Sequence, residues 1–309
     1  MSISFFIKFP IEPFKIIKED SKIALIGSCF TEHIGNRLNM AGFKTTINPF
    51  GILFNPLSIS NSINRILNLE VYKKDDLTQN QEGRFVSFDH HGRFSGPDAD
   101  KVVDEINTSL MRANAAIKAA DILIVTLGSA WVYKHLSGNK IVANCHKIPN
   151  HEFEKELLDV QTIVSSLNET LKKIRNHNPD SKILFTTSPV KHLRDGIIEN
   201  QRSKATLILA IGELLKSGDN DSYYFPAYEI VTDELRDYRF FEADHAHPNQ
   251  MAIDYVWQRF IETCFTETAI EKAAEAEKLS KAFAHKTLHN EGMNENLEQK
   301  IKRYLDRYK

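Results

Sequence analysis

Ile23-Ala24-Leu25-Ile26-Gly27-Ser28-Cys29-Phe30 is where the chain changes from one kind of element to another. Four apolar residues in a row have the length of a buried strand. Beyond them, Ile34, Leu38 and Ala41 are spaced like one face of a helix. Ser28 therefore stands where a strand hands over to a helix. A reversal there leaves its hydroxyl at the carboxyl edge of a sheet, where open α/β folds bind ligands. Nearby N–H groups at the helix start stabilise negative charge. Two readings compete. A serine before a helix is ordinarily an N-cap whose oxygen accepts a backbone N–H. The alternative is a nucleophile, and Asp244 and His247, far along the chain, are what favour it.

Further along, Thr45 to Pro56 carries Asn-Pro, Gly and Asn-Pro in succession and reads as a structured loop. Pro56 is suited to open a helix over 57–67 from its first position. Lys73 to Gly83 is a polar connection, and Phe85 to Ser95 alternates around a His-Gly turn like a small hairpin. Asp98 or Asp100 caps a helix bearing Val102, Ile106, Leu110 and Ala113. Ile122 to Leu127 and Ile183 to Thr187 are further buried strands, Tyr223 to Phe225 is the last, and Ile141 to His146 is a short one. An amphipathic helix is expected over 152–174, a further helix over 201–215 and a strongly apolar one over 251–265. Strands alternating with helices predict a three-layer α/β/α sandwich around a mostly parallel sheet. From Thr268 the composition shifts to Ala, Glu and Lys, and an exposed helix over 270–286 precedes a final one with Leu297, Ile301, Tyr304, Leu305 and Tyr308 on one face. The expected division is a domain over 1–267 and a helical extension over 268–309. The extension packs on the domain or on a second copy, as in a homodimer.

The chain of 309 residues is long enough to bury a substantial core. A net charge of −2 gives no reason to expect a nucleic-acid partner. No apolar run approaches a membrane span, and the first ten residues make a poor signal peptide. The three cysteines, Cys29, Cys145 and Cys264, form neither a disulfide framework nor a zinc knuckle. A reducing, cytoplasmic setting is the simple expectation.

Asp244-His245-Ala246-His247-Pro248 places an acid three residues before a histidine. That spacing suits a general base whose second ring nitrogen is held by a carboxylate, with Ser28 as the nucleophile. Gly27-Ser28-Cys29-Phe30 together with Asp244-x-x-His247 resembles the GSCFA family, which is similar to the SGNH, or GDSL-like, hydrolases. Asn48-Pro49-Phe50-Gly51, Leu127 to Tyr133, Asn144 to Lys147, Ser188 to His192 and Tyr238-Arg239-Phe240 extend the resemblance over about 10–265. Thr31 stands where the family name has alanine.

The resemblance implies a flavodoxin-like fold and ester hydrolysis without a cofactor or metal. It assigns Ser28 as nucleophile, His247 as base and Asp244 as orienting acid, with the Ser28 and Gly51 N–H groups as oxyanion donors. SGNH enzymes take a third donor from an asparagine, and here Ala130 stands in the matching run Gly128-Ser129-Ala130-Trp131. One such donor is worth on the order of 3 kcal/mol in the transition state. Asn48, Asn55, Asn144 and His146 are the candidate replacements, Asn144 or His146 being preferred for lying just past the same strand. Asn48, His91, His146 and His192 are the expected substrate-binding residues.

Cys29 reads as a small packed residue. Cys145 and His146, as neighbours on a strand, would face opposite ways. His245 and His247 would need His90 and His91 to complete a metal site, and no familiar ligand spacing is present. Trp131 and Tyr133 read as core, with an aromatic platform for a sugar as the alternative. Lys191 and Arg194 suit an anionic group, or are simply solvated. The leading function is hydrolysis of an acyl ester, for which acetylated carbohydrate is a substrate by analogy. The alternatives are a glycan-binding module without catalysis and an acyltransferase using the same triad.

Overall fold

The computed structural model describes residues 7–216, 218–288 and 295–308. The chain runs β1 (Lys22–Gly27), α1 (Cys29–Met40), β2 (Lys44–Ile47), α2 (Pro56–Asn68), the short β3 (Thr78–Gln79) and β4 (Phe85–Val86), and α3 (Ala99–Lys118). Then come β5 (Ile122–Leu127), β6 (Trp131–His135), β7 (Lys140–Val142), β8 (Phe153–Leu157), α4 (Val160–His177), β9 (Lys182–Thr187) and α5 (Ile197–Leu215). The remainder is β10 (Ser222–Phe225), the single turn α6 (Ala227–Glu229), α7 (Gln250–Cys264), α8 (Glu267–Leu288) and α9 (Glu295–Arg307).

Five strands form a parallel sheet in the order β10-β9-β5-β1-β2. Beyond their first residues the inner strands β1, β5 and β9 are buried on both faces, and their side chains alternate between two cores, as a pleated strand requires. Ala24, Ile26, Leu123 and Val125 join one core with α2, α3, α4 and α5. Ile23, Leu25, Ile122 and Ile124 join the other with α1, α7 and α8. This is the expected three-layer α/β/α architecture. The chain goes from β1 outward to β2, then returns to the other side of β1 as β5. The carboxyl end of β1, where Ser28 sits, is thus at the topological switch, where the helices on either side leave a crevice.

Several local expectations are corrected. Lys44–Ile47, read as the start of a loop, is the edge strand β2, registered against Lys22 to Leu25. The helix expected from 152 starts at Val160, where Asp159 accepts the Thr162 N–H at 2.7 Å. Phe153–Leu157 is instead a strand, completing the small antiparallel sheet β7-β6-β8. Its alternation, Phe-Glu-Lys-Glu-Leu, has the period of a strand. The strand expected over 141–146 stops at Val142. His146 and Lys147 then take left-handed φ values of 50° and 62° in a turn, so opposite-face reasoning does not apply to Cys145 and His146. The hairpin over 85–95 closes through a single bridge from Phe85 to Gly96, and β4 pairs with β3.

Helix α8 is not simply exposed. Ala269, Ala273 and Ala276 are buried, and Lys272 donates to the Glu19 carbonyl at 2.6 Å. α9 lies along α8, with Arg307 paired to Glu271 and Glu275. The side chain of Leu297 lies outside the described residues. No helix among them is long and apolar enough to cross a membrane.

Candidate active site

The carboxyl end of β1 is stitched to the loop that follows β2. Gly27 has φ +149°, and a Cβ there would come within 2.2 Å of the Thr126 carbonyl oxygen. Only glycine fits so close an approach between β1 and β5. Its N–H donates to Asn48 Oδ1 at 2.9 Å, and its carbonyl accepts the Leu53 N–H at 2.9 Å. Asn48 is fully buried, at φ +44°. Because the Gly27 N–H needs an acceptor, Asn48 must turn its oxygen there, which sends Nδ2 the other way. That Nδ2 is buried and has no hydrogen-bond partner.

Ser28 occupies the N-cap position of α1 but makes no capping bond. Its hydroxyl is fully buried and unpartnered. A buried hydroxyl without a partner costs roughly 1–3 kcal/mol, which an N-cap bond would have recovered. The cap reading therefore fails on geometry.

Asp244 and His247 form a pair. Asp244 Oδ1 accepts the N–H groups of Ala246 and His247 at 2.9 and 3.0 Å, a tight aspartate turn. Its Oδ2 accepts His247 Nδ1–H at 2.5 Å. These two backbone donors and the imidazole hold the Asp244 carboxyl well below the usual carboxylate range. His245 takes φ +56° inside the turn, and Asn249 caps α7 just beyond. The His247 ring is half exposed, and its Nε2 makes no hydrogen bond among the described residues.

The loop is anchored at the same sheet edge. Lys191, after β9, donates its N–H to the Ala246 carbonyl at 3.0 Å. Partial desolvation lowers the pKa of His33 in α1, and the charges of Arg37 and His247 act in the same direction. Burial lowers His192 to about 4, with Lys204 and His247 contributing. The His247 loop is thus held against the segment after β9. His247 is not hydrogen-bonded to Ser28, whose Oγ has no partner.

The remaining candidates fall in different places. The Ser28 N–H donates to the Thr126 carbonyl at 3.2 Å, and the Gly51 N–H to the Asn48 carbonyl at 2.8 Å. Neither expected oxyanion donor is free as the chain stands. Gly51 lies at φ +79°, with His91 packed where a side chain would go. Asn144 turns its oxygen to the His146 N–H at 2.8 Å, and the His146 ring donates to the Ser87 carbonyl at 2.7 Å. Both line a cleft of about 670 Å³, together with His192, but Asn48, His91, Ser28 and His247 do not. Trp131 and Tyr133, read as core, are half buried and line that cleft.

Burial raises the Cys29 thiol and moves Cys145 to about 11, so both stay protonated at neutral pH. His90 is buried, with Nδ1 on Ser87 Oγ at 2.9 Å and its ring stacked on Phe50. Among the described residues, no cluster of three His, Cys, Asp or Glu side chains is arranged to hold a metal.

Lys204 was not anticipated. It is fully buried and donates to the carbonyls of Gly128 and Ser188 at 2.6 and 2.8 Å, joining the carboxyl ends of β5 and β9. Burial brings its pKa down to about 7. The available signal was a lysine at helical spacing among Asn200, Leu207 and Ile211, on the buried face of α5. Beside it, Ser203 Oγ accepts the Ala130 N–H at 2.8 Å.

Fold and edge together define a parallel α/β sandwich with its polar groups gathered at the carboxyl ends of β1, β5 and β9. The chain belongs to the GSCFA family, whose model matches residues 22–260. No curated protein matches it. Solved structures of related outline include a family two carbohydrate esterase from Clostridium thermocellum in complex with cellohexaose, at 11% identity and TM-score 0.38, covering 83% of this chain and 65% of that one. An acetyl xylan esterase from the rumen bacterium Butyrivibrio proteoclasticus is 13% identical at TM-score 0.38, covering 82% and 65%. A family 3 carbohydrate esterase from Clostridium thermocellum is 12% identical at TM-score 0.35, covering 79% and 94%. The chain thus spans just under two thirds of the length of the first two. Likeness at this level is weak and says nothing of the activity of this chain.

Proposed function

We propose that the protein hydrolyses esters through Ser28, with His247 as base and Asp244 as its orienting acid, and that acetylated carbohydrate is the substrate class. The observation that carries this reading is the Asp244–His247 pair. Its carboxylate is fixed by two backbone donors, and among the described residues its outer imidazole nitrogen is left unengaged. In this reading substrate entry both uncovers the buried Ser28 hydroxyl and brings the His247 loop onto it, since catalytic hydrogen bonds are often loose before binding. His247 Nε2 takes the Ser28 proton as Oγ attacks the carbonyl carbon, then returns it to the leaving alcohol. Water, deprotonated by the same imidazole, releases the acid and frees Ser28.

The tetrahedral oxygen needs donors. Among the described residues Asn48 Nδ2 is a buried, unpartnered side-chain amide donor, and its own oxygen is tied to the peptide before Ser28. It takes the role that Ala130 cannot fill. The expected outcome is turnover of p-nitrophenyl acetate and covalent labelling of Ser28 by a serine-reactive phosphonate, both lost in Ser28→Ala. Undiminished turnover in that variant would falsify the reading.

A second reading has its own support: the engaged Ser28 and Gly51 N–H groups suit a glycan-binding module without catalysis. Glycan binding that survives Ser28→Ala, with no hydrolysis by the wild type, selects it. Acyl transfer needs only a sugar hydroxyl in place of water, and appears as a new ester when an acceptor is added.

A further inference from the structure

The cleft of about 670 Å³ beside the Asp244–His247 loop has a wall chemistry unlike the rest of the chain. Overall, acidic residues slightly outnumber basic ones, 41 to 39. The cleft is lined by Lys147, Lys155, Lys191 and Arg194 against a single acid, Asp195. Lys155 is paired with Asp195, and Lys147 with Glu82. Among the described residues, neither Lys191 nor Arg194 has a carboxylate partner. Lys191 lies 3.7 Å from the Phe241 ring centroid, its Nζ donates to the His245 carbonyl at 3.4 Å, and desolvation lowers its pKa with no acid to counter it.

The opposite wall is the antiparallel sheet. Trp131 and Tyr133, two apart on β6, face the same way, and Lys155 sits 4.6 and 5.7 Å from their ring centroids. Tyr133 and Lys155 are direct cross-strand partners, which fixes this arrangement in the sheet register. Aromatic rings give a sugar-sized ligand broad amphipathic contact. A volume of this size is ordinary for a small-molecule site. The lining also includes His192, neutral at physiological pH with Nε2 buried and unpartnered.

We infer that this cleft binds a sugar ring carrying a negative charge, a carboxylate or a phosphate, with Lys191 and Arg194 meeting the anion and Trp131 and Tyr133 flanking the ring. Only the further statement that this ring belongs to the ester cleaved at Ser28 rests on the reading above. Lys191 is bonded through its N–H to Ala246, one residue from His247, so the anion site and the base share one loop contact.

The test is calorimetric titration of the full chain carrying Ser28→Ala, with glucuronate, glucose 6-phosphate and glucose as probes. One or both anions bind at least about tenfold more tightly than glucose. The preference shrinks as salt rises from about 50 to about 500 mM. It falls to about twofold or less in Lys191→Ala/Arg194→Ala, and partly in Arg194→Gln, which alters one exposed side chain. Comparing the two anions separates carboxylate from phosphate recognition. Equal binding of glucose and the anions, no binding of any probe, or a preference that survives both sets of variants overturns the inference. Hydrolysis of p-nitrophenyl acetate by the wild type reports separately on the esterase reading.

Discussion

In the proposed mechanism the cost of Asn48 is offset once a ligand accepts from its Nδ2. A left-handed backbone at φ +44° and a buried amide N–H₂ without a partner are both unfavourable. Asn48→Asp keeps an oxygen for the Gly27 N–H and tolerates the backbone, but exchanges the donor for an acceptor. We expect its kcat for p-nitrophenyl acetate to fall on the order of 10²- to 10³-fold with KM little changed. A variant retaining wild-type kcat removes Asn48 from the oxyanion site. In the proposed mechanism Asp244 acts one step further from the substrate, by fixing the His247 tautomer. Asp244→Asn should lower kcat on the order of 10⁴-fold, since an amide can present its N–H₂ to Nδ1 and leave the proton on the wrong nitrogen. Recovery of much of that activity at high pH is the signature that a purely structural role for Asp244 would not give.

At the scale of elements, caps and apolar periods were legible and short strands were not. Asn55 and Pro56 announce α2: Asn55 Oδ1 accepts the Ser58 N–H at 2.8 Å, and Pro56 opens the first turn. Asn55→Ala should cost about 1–2 kcal/mol in urea unfolding, because the cap is buried and water cannot replace it. A change below a few tenths would show that the α2 start is held by packing alone. β2 and β8 escaped notice for a shared reason. Lys44–Ile47 and Phe153–Leu157 are short and partly polar, and their backbone bonds are made to partners distant in sequence. Local pattern does not identify those partners, even where, as in Phe153–Leu157, the alternation has the period of a strand. The same holds for Trp131 and Tyr133, which alternate like core residues but face a cleft because β8 lies beside β6.

At the scale of the whole molecule, Lys204 links stability to pH. Its folded pKa is about 7, below the ordinary 10.5. Below pH 7 both states are protonated, and the fold carries the full penalty of a buried ammonium. Between about 7 and 10.5 the folded amine is neutral while the unfolded one still binds a proton. Unfolding then takes up a proton, and stability rises with pH by at most about 1.4 kcal/mol per unit from this group. Lys204→Met removes that slope and leaves the Gly128 and Ser188 carbonyls unpaired. The wild-type advantage over the variant should therefore widen between pH 7 and 9.5 in denaturant titrations. A constant difference across that range would show that Lys204 stays charged in the fold.

The sequence by itself determined the buried strands β1, β5 and β9, the edge strand β10, the main helices, and the Asp244–His247 pair. Each depends on residues within a few positions of one another, so local spacing and turn chemistry are sufficient. Tertiary structure alone decided the remainder: that Ser28 is no helix cap, that Asn48 turns an unpaired amide N–H₂ away from Gly27, that Lys204 is buried under two strand ends, and that a cationic cleft opens beside the His247 loop. These features are set by hydrogen bonds and burial between segments tens to hundreds of residues apart. Such contacts exist only once the sheet has brought its carboxyl ends together.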